Sequence, residues 1–463
     1  MRTKALRQYG KRDLRLEEFD LPPIGDDELL VKIMSDSVCM STYKSAIQGA
    51  DHKRVPGDVA ENPIIVGHEF CGEIIEVGAS LKSTGAYMAG QRFAIQPAMK
   101  GTYDAAGYSF KYLGGDSQYA IIPKCYIEQD CVLPYNGSSW FQASMAEPMS
   151  CVVGAAHSCY HTRQGEYTHT MGIRENGKAA ALAAAGPMGL ALIDYLIHCS
   201  RRPSTLIVTD IDNGRLARAK SILTPEEAAR NGVDLKYINT AEFADPAAAL
   251  LGLSGGDRGD GNGDGHGSGR GDGNGDGHDS DRGDGHGDDC GDGHGGGRGD
   301  GYDDVFVFAP VSSVVEQADA ILGCDGCLNF FAGPSDTRFS ANFNFYNVHY
   351  NATHIVGTSG GNTCDMKESL ELAASGVINP SILITHIGGL DAACDTILRL
   401  PEIPGGKKLI YTHISMPLTA IDDFAELGKA DPLFANLADM CDKAGGLWNG
   451  DAERYLLENA RPI

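Results

Sequence analysis

Basic residues are the first shortage. The chain carries 38 Lys and Arg against 62 Asp and Glu, a formal charge of −24. Such a surface repels nucleic-acid phosphates and the anionic face of a membrane, so neither is expected as a partner. Long apolar runs are missing too: nothing approaches the ~20 residues that span a bilayer. Met1 to Leu14 is basic and lacks the apolar core of a signal peptide. The 13 cysteines are scattered singly and are odd in number. That excludes a disulfide framework and fits a reducing, cytoplasmic setting in which a few thiols bind metal. What remains is 463 residues with 42% hydrophobic content, enough for two domains.

The N-terminal third reads as β-rich. Residues 27–34 alternate as a strand, a loop is expected over 35–39, and Ser41 or Thr42 offers a cap for the helix after it. Further strands are expected around 64–77, 91–97 and 117–123. Between two strand-like runs stands Gly67-His68-Glu69. Neutral imidazole is a good zinc ligand, and a neighbouring carboxylate can ligate or orient one. Each candidate has a plainer reading: the His-Glu pair as a surface turn, Cys39 as a small buried hydrophobe, and Glu147 before Pro148 as a helix-dipole partner. Taken together, Cys39, His68, Glu69 and Glu147 make a metal set.

The middle of the chain alternates strand and helix patterns, which implies a doubly wound parallel sheet. Gly186-Pro187-Met188-Gly189 is followed by a helical run, and Ser204 to Asp210 is a strand ending in an acid. This is the context of a dinucleotide fingerprint, with amides at the helix N-terminus for the pyrophosphate. Asp210 would accept from ribose hydroxyls and repel a 2′-phosphate, favouring NAD(H) over NADP(H). Two features run against the motif. Ala184 occupies the first glycine position, and by propensity alone 178–200 is one alanine-rich helix broken at Pro187. Asp212 and Arg215 open the next helix, where Arg215 either stacks on adenine or is solvated. Further strands are expected at 304–309, 327–333, 354–358 and 382–386, and helices at 312–322, 365–376, 420–427 and 432–444.

From about 254 to 301 the chain is almost wholly Gly, Asp, His, Asn and Arg. With virtually no apolar side chain it cannot bury a core, so disorder is expected. Two calcium-loop openings, at Asp260 and Asp272, lack the acid at the twelfth position. The segment lies between a helix and a strand, so it should leave the N-terminal edge of the sheet, away from any cofactor.

The runs Val31 to Ser41, Gly67-His68-Glu69 through Gly78, and Ala146-Glu147-Pro148 resemble the zinc-dependent medium-chain dehydrogenase/reductase family. The resemblance implies a GroES-like β-rich catalytic domain (1–160 and 378–463) around a Rossmann nucleotide-binding domain (161–377). It implies catalytic Zn2+ on Cys39, His68 and Glu147, with Glu69 behind the metal and able to exchange into its coordination. Ser41 would be the hydroxyl that moves the alcohol proton, and Lys44 would stand where many members end that relay with histidine. Gly186, Pro187, Met188, Gly189, Asp210, Asp212 and Arg215 would bind NAD(H), or NADP(H). Many members hold a structural zinc on four cysteines near 97–115; here no cysteine falls between Cys71 and Cys125, so only the catalytic zinc is expected. The runs 174–178, 304–310, 328–334, 343–350, 358–362 and 407–412 are most similar to the L-sorbose-1-phosphate reductase branch. That branch implies a sugar-phosphate substrate, with Lys44, Arg338 and His349 as candidate phosphate partners, and a homodimer or homotetramer paired near 354–358. An unphosphorylated polyol is the alternative substrate.

Overall fold

The computed structural model describes residues 1–163, 165–254 and 301–463. The expected disorder of the glycine-rich segment and its calcium-loop openings lie outside the described residues.

Six parallel strands form the nucleotide-binding sheet, in the order Asp234–Asn239, Thr205–Asp210, Lys178–Leu182, Tyr302–Val307, Leu322–Phe330, His354–Val356. In chain order this is 3-2-1-4-5-6, the arrangement that opens a dinucleotide crevice where the order reverses. The alanine-rich run is therefore a strand, not a helix. Ala180 and Ala181 are fully buried between strands on either side, and apolar clusters cover both faces of the sheet. Tertiary pairing overrides helix propensity worth only ~0.5 kcal/mol per residue. The missing glycine at 184 is harmless for a related reason: the left-handed residue of the turn is Ala183, at φ 55°. Gly189, by contrast, is obligatory, since a Cβ there would lie 1.8 Å from the Ala184 carbonyl oxygen.

The second sheet has eight strands drawn from both ends of the chain. Thr419–Ala420, Ile384–Gly389 and Lys407–Tyr411 join Leu29–Val38, Phe70–Val77, Arg92–Ile95 and Val132–Pro134, with Tyr119–Ile122 also paired to Leu29–Val38. The seam is antiparallel, Lys408 opposite Val38 through Tyr411 opposite Ser35. This corrects the loop expected over 35–39. The strand runs to Val38 because Lys407–Tyr411, from the far end of the chain, supplies its backbone partners. Capping is corrected too: Cys39 occupies the N-cap of helix Met40–Gln48 and no side chain caps it. The strand expected at 382–386 begins later, at Ile384, after a 3-10 turn over Pro380–Leu383.

The tail adds a helix, Gly450–Asn459, that the periodicity did not reveal. Its Glu453 is 3% exposed and accepts from Trp140 N at 2.6 Å, Phe141 N at 2.8 Å and Tyr411 Oη at 2.7 Å. It closes the N-terminus of helix Trp140–Ser144, just ahead of the helix bearing Glu147. Glu453→Ala strands three buried donors, so a loss of about 3 kcal/mol is expected, read as a lower denaturation midpoint with an unchanged slope.

The chain leaves the described structure after helix Pro246–Ser254 and returns at Gly301, before the first residue of Tyr302–Val307. Tyr302 Oη donates to Leu250 O at 2.8 Å and ties the two ends together. Both anchors are on the N-terminal side of the sheet, as the element order required.

Candidate active site

Two backbone features bring the metal set together. Cys39 ends the long strand Leu29–Val38, and the turn at Gly67 (φ 91°) carries His68 and Glu69 back beside it. The Cys39 sulfur, a His68 nitrogen and a Glu69 oxygen all lie within 4.8 Å of one another. That spacing fits a cation bound at about 2.0–2.3 Å by sulfur, nitrogen and oxygen donors. Ser41 Oγ joins the set, donating to Cys39 Sγ at 3.0 Å and lying 3.3 Å from His68 Nε2. Thr42 Oγ1 is 3.0 Å from Nδ1 on the other side of the ring. With Thr42 accepting from Nδ1–H, the Nε2 lone pair faces the cluster.

The electrostatics suit a cation. Burial pushes the His68 pKa down, so the imidazole is in its neutral, ligating form. Burial, reinforced by Glu69, pushes the Cys39 thiol up, and a positive ion would reverse that. Glu147 sits in the first turn of helix Ala146–Ser158, outside the three-atom cluster. Its carboxyl is pushed up to about 7 by burial and then by Glu69, as expected of an acid crowded by like charge.

Glu69 is not free. Lys407 Nζ lies 2.6 Å from each of its oxygens, and Ser37 Oγ donates to it as well. Burial works against ionisation of Glu69, but Lys407, His68 and Ser37 together outweigh it and hold the carboxyl low. Sequence reasoning missed Lys407 and Tyr108. A lysine opening the buried run Lys407–Tyr411 was the available signal for the first. Tyr108 comes from the segment that lacks the four cysteines, and its hydroxyl lies 3.1 and 3.2 Å from the two His68 nitrogens.

Lys44 lies one turn beyond Ser41 on helix Met40–Gln48. His52 stacks on Tyr108 at 5.7 Å, and its pKa is lowered by burial and then by Arg54, Lys53 and Lys44. Arg54 lies over the Tyr108 ring at 5.5 Å. The other two phosphate candidates do not join this wall. Arg338 is exposed and pairs with Asp336 at 3.1 Å, and His349 packs edge-on against Tyr350.

On the nucleotide side, Gly186 is the N-cap of helix Pro187–His198, with Pro187 in its first turn and Met188 and Gly189 following. No side chain caps that helix, which leaves its first amides for an anion. Asp210 ends its strand beside this turn and is 5% exposed. Its Oδ1 accepts from Ile211 N and Asp212 N, and Oδ2 lies 3.3 Å from Ala185 N. Asp212 caps helix Asn213–Ile222 by accepting from Arg215 N, and the Arg215 side chain is exposed. These groups fit a dinucleotide.

A Rossmann sheet joined to a two-ended β domain that gathers thiol, imidazole and carboxylate defines an alcohol-dehydrogenase-like oxidoreductase. Residues 25–129 match the alcohol dehydrogenase GroES-like domain. The chain is 51% identical over 457 residues to mannitol-1-phosphate 5-dehydrogenase of Aliivibrio fischeri, covering 98% of this chain and 97% of that one. It is 42% identical over 463 residues to L-sorbose 1-phosphate reductase of Klebsiella pneumoniae, covering 100% and 98%. The structure superimposes on 2R,3R-butanediol dehydrogenase from Bacillus subtilis with a TM-score of 0.63 at 18% identity, covering 88% and 99%. The chain belongs to the zinc-dependent medium-chain dehydrogenase/reductase family and is a polyol-dehydrogenase-type oxidoreductase acting on CH–OH groups. Among the described residues no helix is long and apolar enough to cross a membrane.

Proposed function

We propose that the protein interconverts a ketose phosphate and its polyol phosphate with NAD(H), reducing L-sorbose 1-phosphate to D-glucitol 6-phosphate. The observation that carries this reading is the convergence of Cys39, His68 and Glu69, bridged by Ser41 and flanked by the cations Arg54, Lys53 and Lys44 around His52 and Tyr108. Cys39, His68 and Glu147 would hold a zinc ion, with Glu69 in reserve. The ion would supply Lewis-acid polarisation of the substrate oxygen, and the nicotinamide would supply or accept the hydride.

The chain's own groups do the rest. Ser41 Oγ holds the proton that the reacting oxygen gains or loses. Thr42 and Tyr108 fix the His68 ring. Lys407 and Ser37 hold Glu69 ionised beside the cluster. Arg54, already half desolvated against Tyr108, suits a substrate phosphate, with Lys44 in support. Asp210 takes the ribose hydroxyls, which favours NAD(H). Residues 1–160 with 378–463 would form the metal side, and 161–377 the nucleotide side. The edge strand His354–Val356, paired on one side only, suits a cytoplasmic homodimer or homotetramer.

The test is NADH oxidation with L-sorbose 1-phosphate, free L-sorbose alongside, before and after chelation. Expected is chelator-sensitive turnover of the phosphate ester, faster with NADH than with NADPH. Turnover of free sorbose alone would sink the phosphate assignment. The Aliivibrio relative's name favours a second reading, NAD reduction by mannitol 1-phosphate, which the same assay run in reverse would detect.

A further inference from the structure

A second thiol-rich cluster lies outside the active site. Asp304, Cys327 and His354 stand opposite one another on three neighbouring strands of the six-stranded sheet, so their side chains share one face. Cys159 reaches the same place from the residue that ends helix Ala146–Ser158, the helix that begins with Glu147. The ligand atoms of Cys159, Asp304 and Cys327 all lie within 4.8 Å of one another, and all three residues are buried. His161 follows on strand Tyr160–Thr162, with Nε2 3.2 Å from Asp304 Oδ1.

We propose that Cys159, Cys327 and Asp304, completed by His161, form a second metal site that takes zinc and pins the Glu147 helix to the nucleotide-binding sheet. A tetrahedral zinc holds its sulfur and oxygen ligands within about 4 Å of each other, a small contraction from the spacing found here. The surroundings are built as zinc sites are. The Nδ1 of His161 faces the Asp325 carbonyl at 3.1 Å and its carboxylate at 3.5 Å, the outer hydrogen bond that ligating histidines make. Asp325 is held in turn by Thr162 N, Thr162 Oγ1 and Arg174 Nη2, and its own backbone is left-handed at φ 55°. The second Asp304 oxygen accepts from Arg174 N at 2.8 Å.

Cysteine binds zinc as the thiolate, so loading the site would release protons from Cys159 and Cys327. The absence of cysteines at 97–115 bears only on the four-cysteine lobe expected there, not on this site, whose ligands come from two segments, 159–161 and 304–327, more than a hundred residues apart in sequence.

The test is metal analysis of the purified full chain. Two zinc ions per chain are expected for wild type, and one each for Cys39→Ser, Cys159→Ser and Cys327→Ser. Should the buried variants fail to fold, cobalt-exchanged Cys39→Ser decides. It should retain a near-ultraviolet thiolate-to-cobalt charge-transfer band, because two cysteines still bind. One zinc in wild type with none in Cys39→Ser would overturn the proposal. So would a Cys159–Cys327 disulfide in freshly isolated protein, or unchanged metal content in Cys159→Ser and Cys327→Ser.

Discussion

Cys39→Ala is expected to lower turnover on the order of 10³-fold or more and leave the fold intact. Cys39 makes no side-chain cap to its helix, so the substitution removes little packing. It does remove the only sulfur from the cluster with His68 and Glu69. Lewis-acid stabilisation of a developing alkoxide is worth several kcal/mol, and each ~1.4 kcal/mol is tenfold in rate. The loss should therefore appear in kcat, with bound metal falling by one equivalent and NADH affinity nearly unchanged. The nucleotide groups lie on a different sheet. Full activity in this variant would rule out the assigned metal site.

Lys407→Met is the second large effect, and it falls on stability. The pair with Glu69 is almost wholly sequestered, with side-chain exposures of 9% and 1%. Removing one partner leaves a buried charge with Ser37 and little else, which costs about 3–5 kcal/mol. The sign of its pH dependence follows from Glu69, whose folded-state pKa is lowered. A depressed carboxyl stabilises the fold above its unfolded value and loses that contribution as pH falls through the folded one. The gap between wild type and Lys407→Met should therefore be widest above about pH 4.5 and narrow in acid as Glu69 takes up its proton. Equilibrium unfolding at several pH values reads this directly. A gap that widens in acid would show that Lys407 acts through something other than Glu69. Activity should fall as well, because an uncompensated Glu69 beside Cys39 competes for the same cation.

The family of the chain, its fold class and the meeting of Cys39, His68 and Glu69 were legible in sequence because each rests on local pattern, whereas Glu147 stays outside that cluster. Gly67-His68-Glu69 declares its turn, Asp210 ends an apolar strand, and Gly186-Pro187 opens a helix. Three things were decided only by tertiary structure. The alanine run 178–182 became a strand because neighbours from residues 205 and 302 onward satisfy its backbone. The strand Leu29–Val38 outran its pattern because residues 407–411 pair with it. Lys407 reached Glu69, and Cys159 reached Cys327, across separations that no window of sequence spans. Periodicity reports the face a side chain turns to the core; which distant group meets it there is fixed by strand order and register, and so by the fold as a whole.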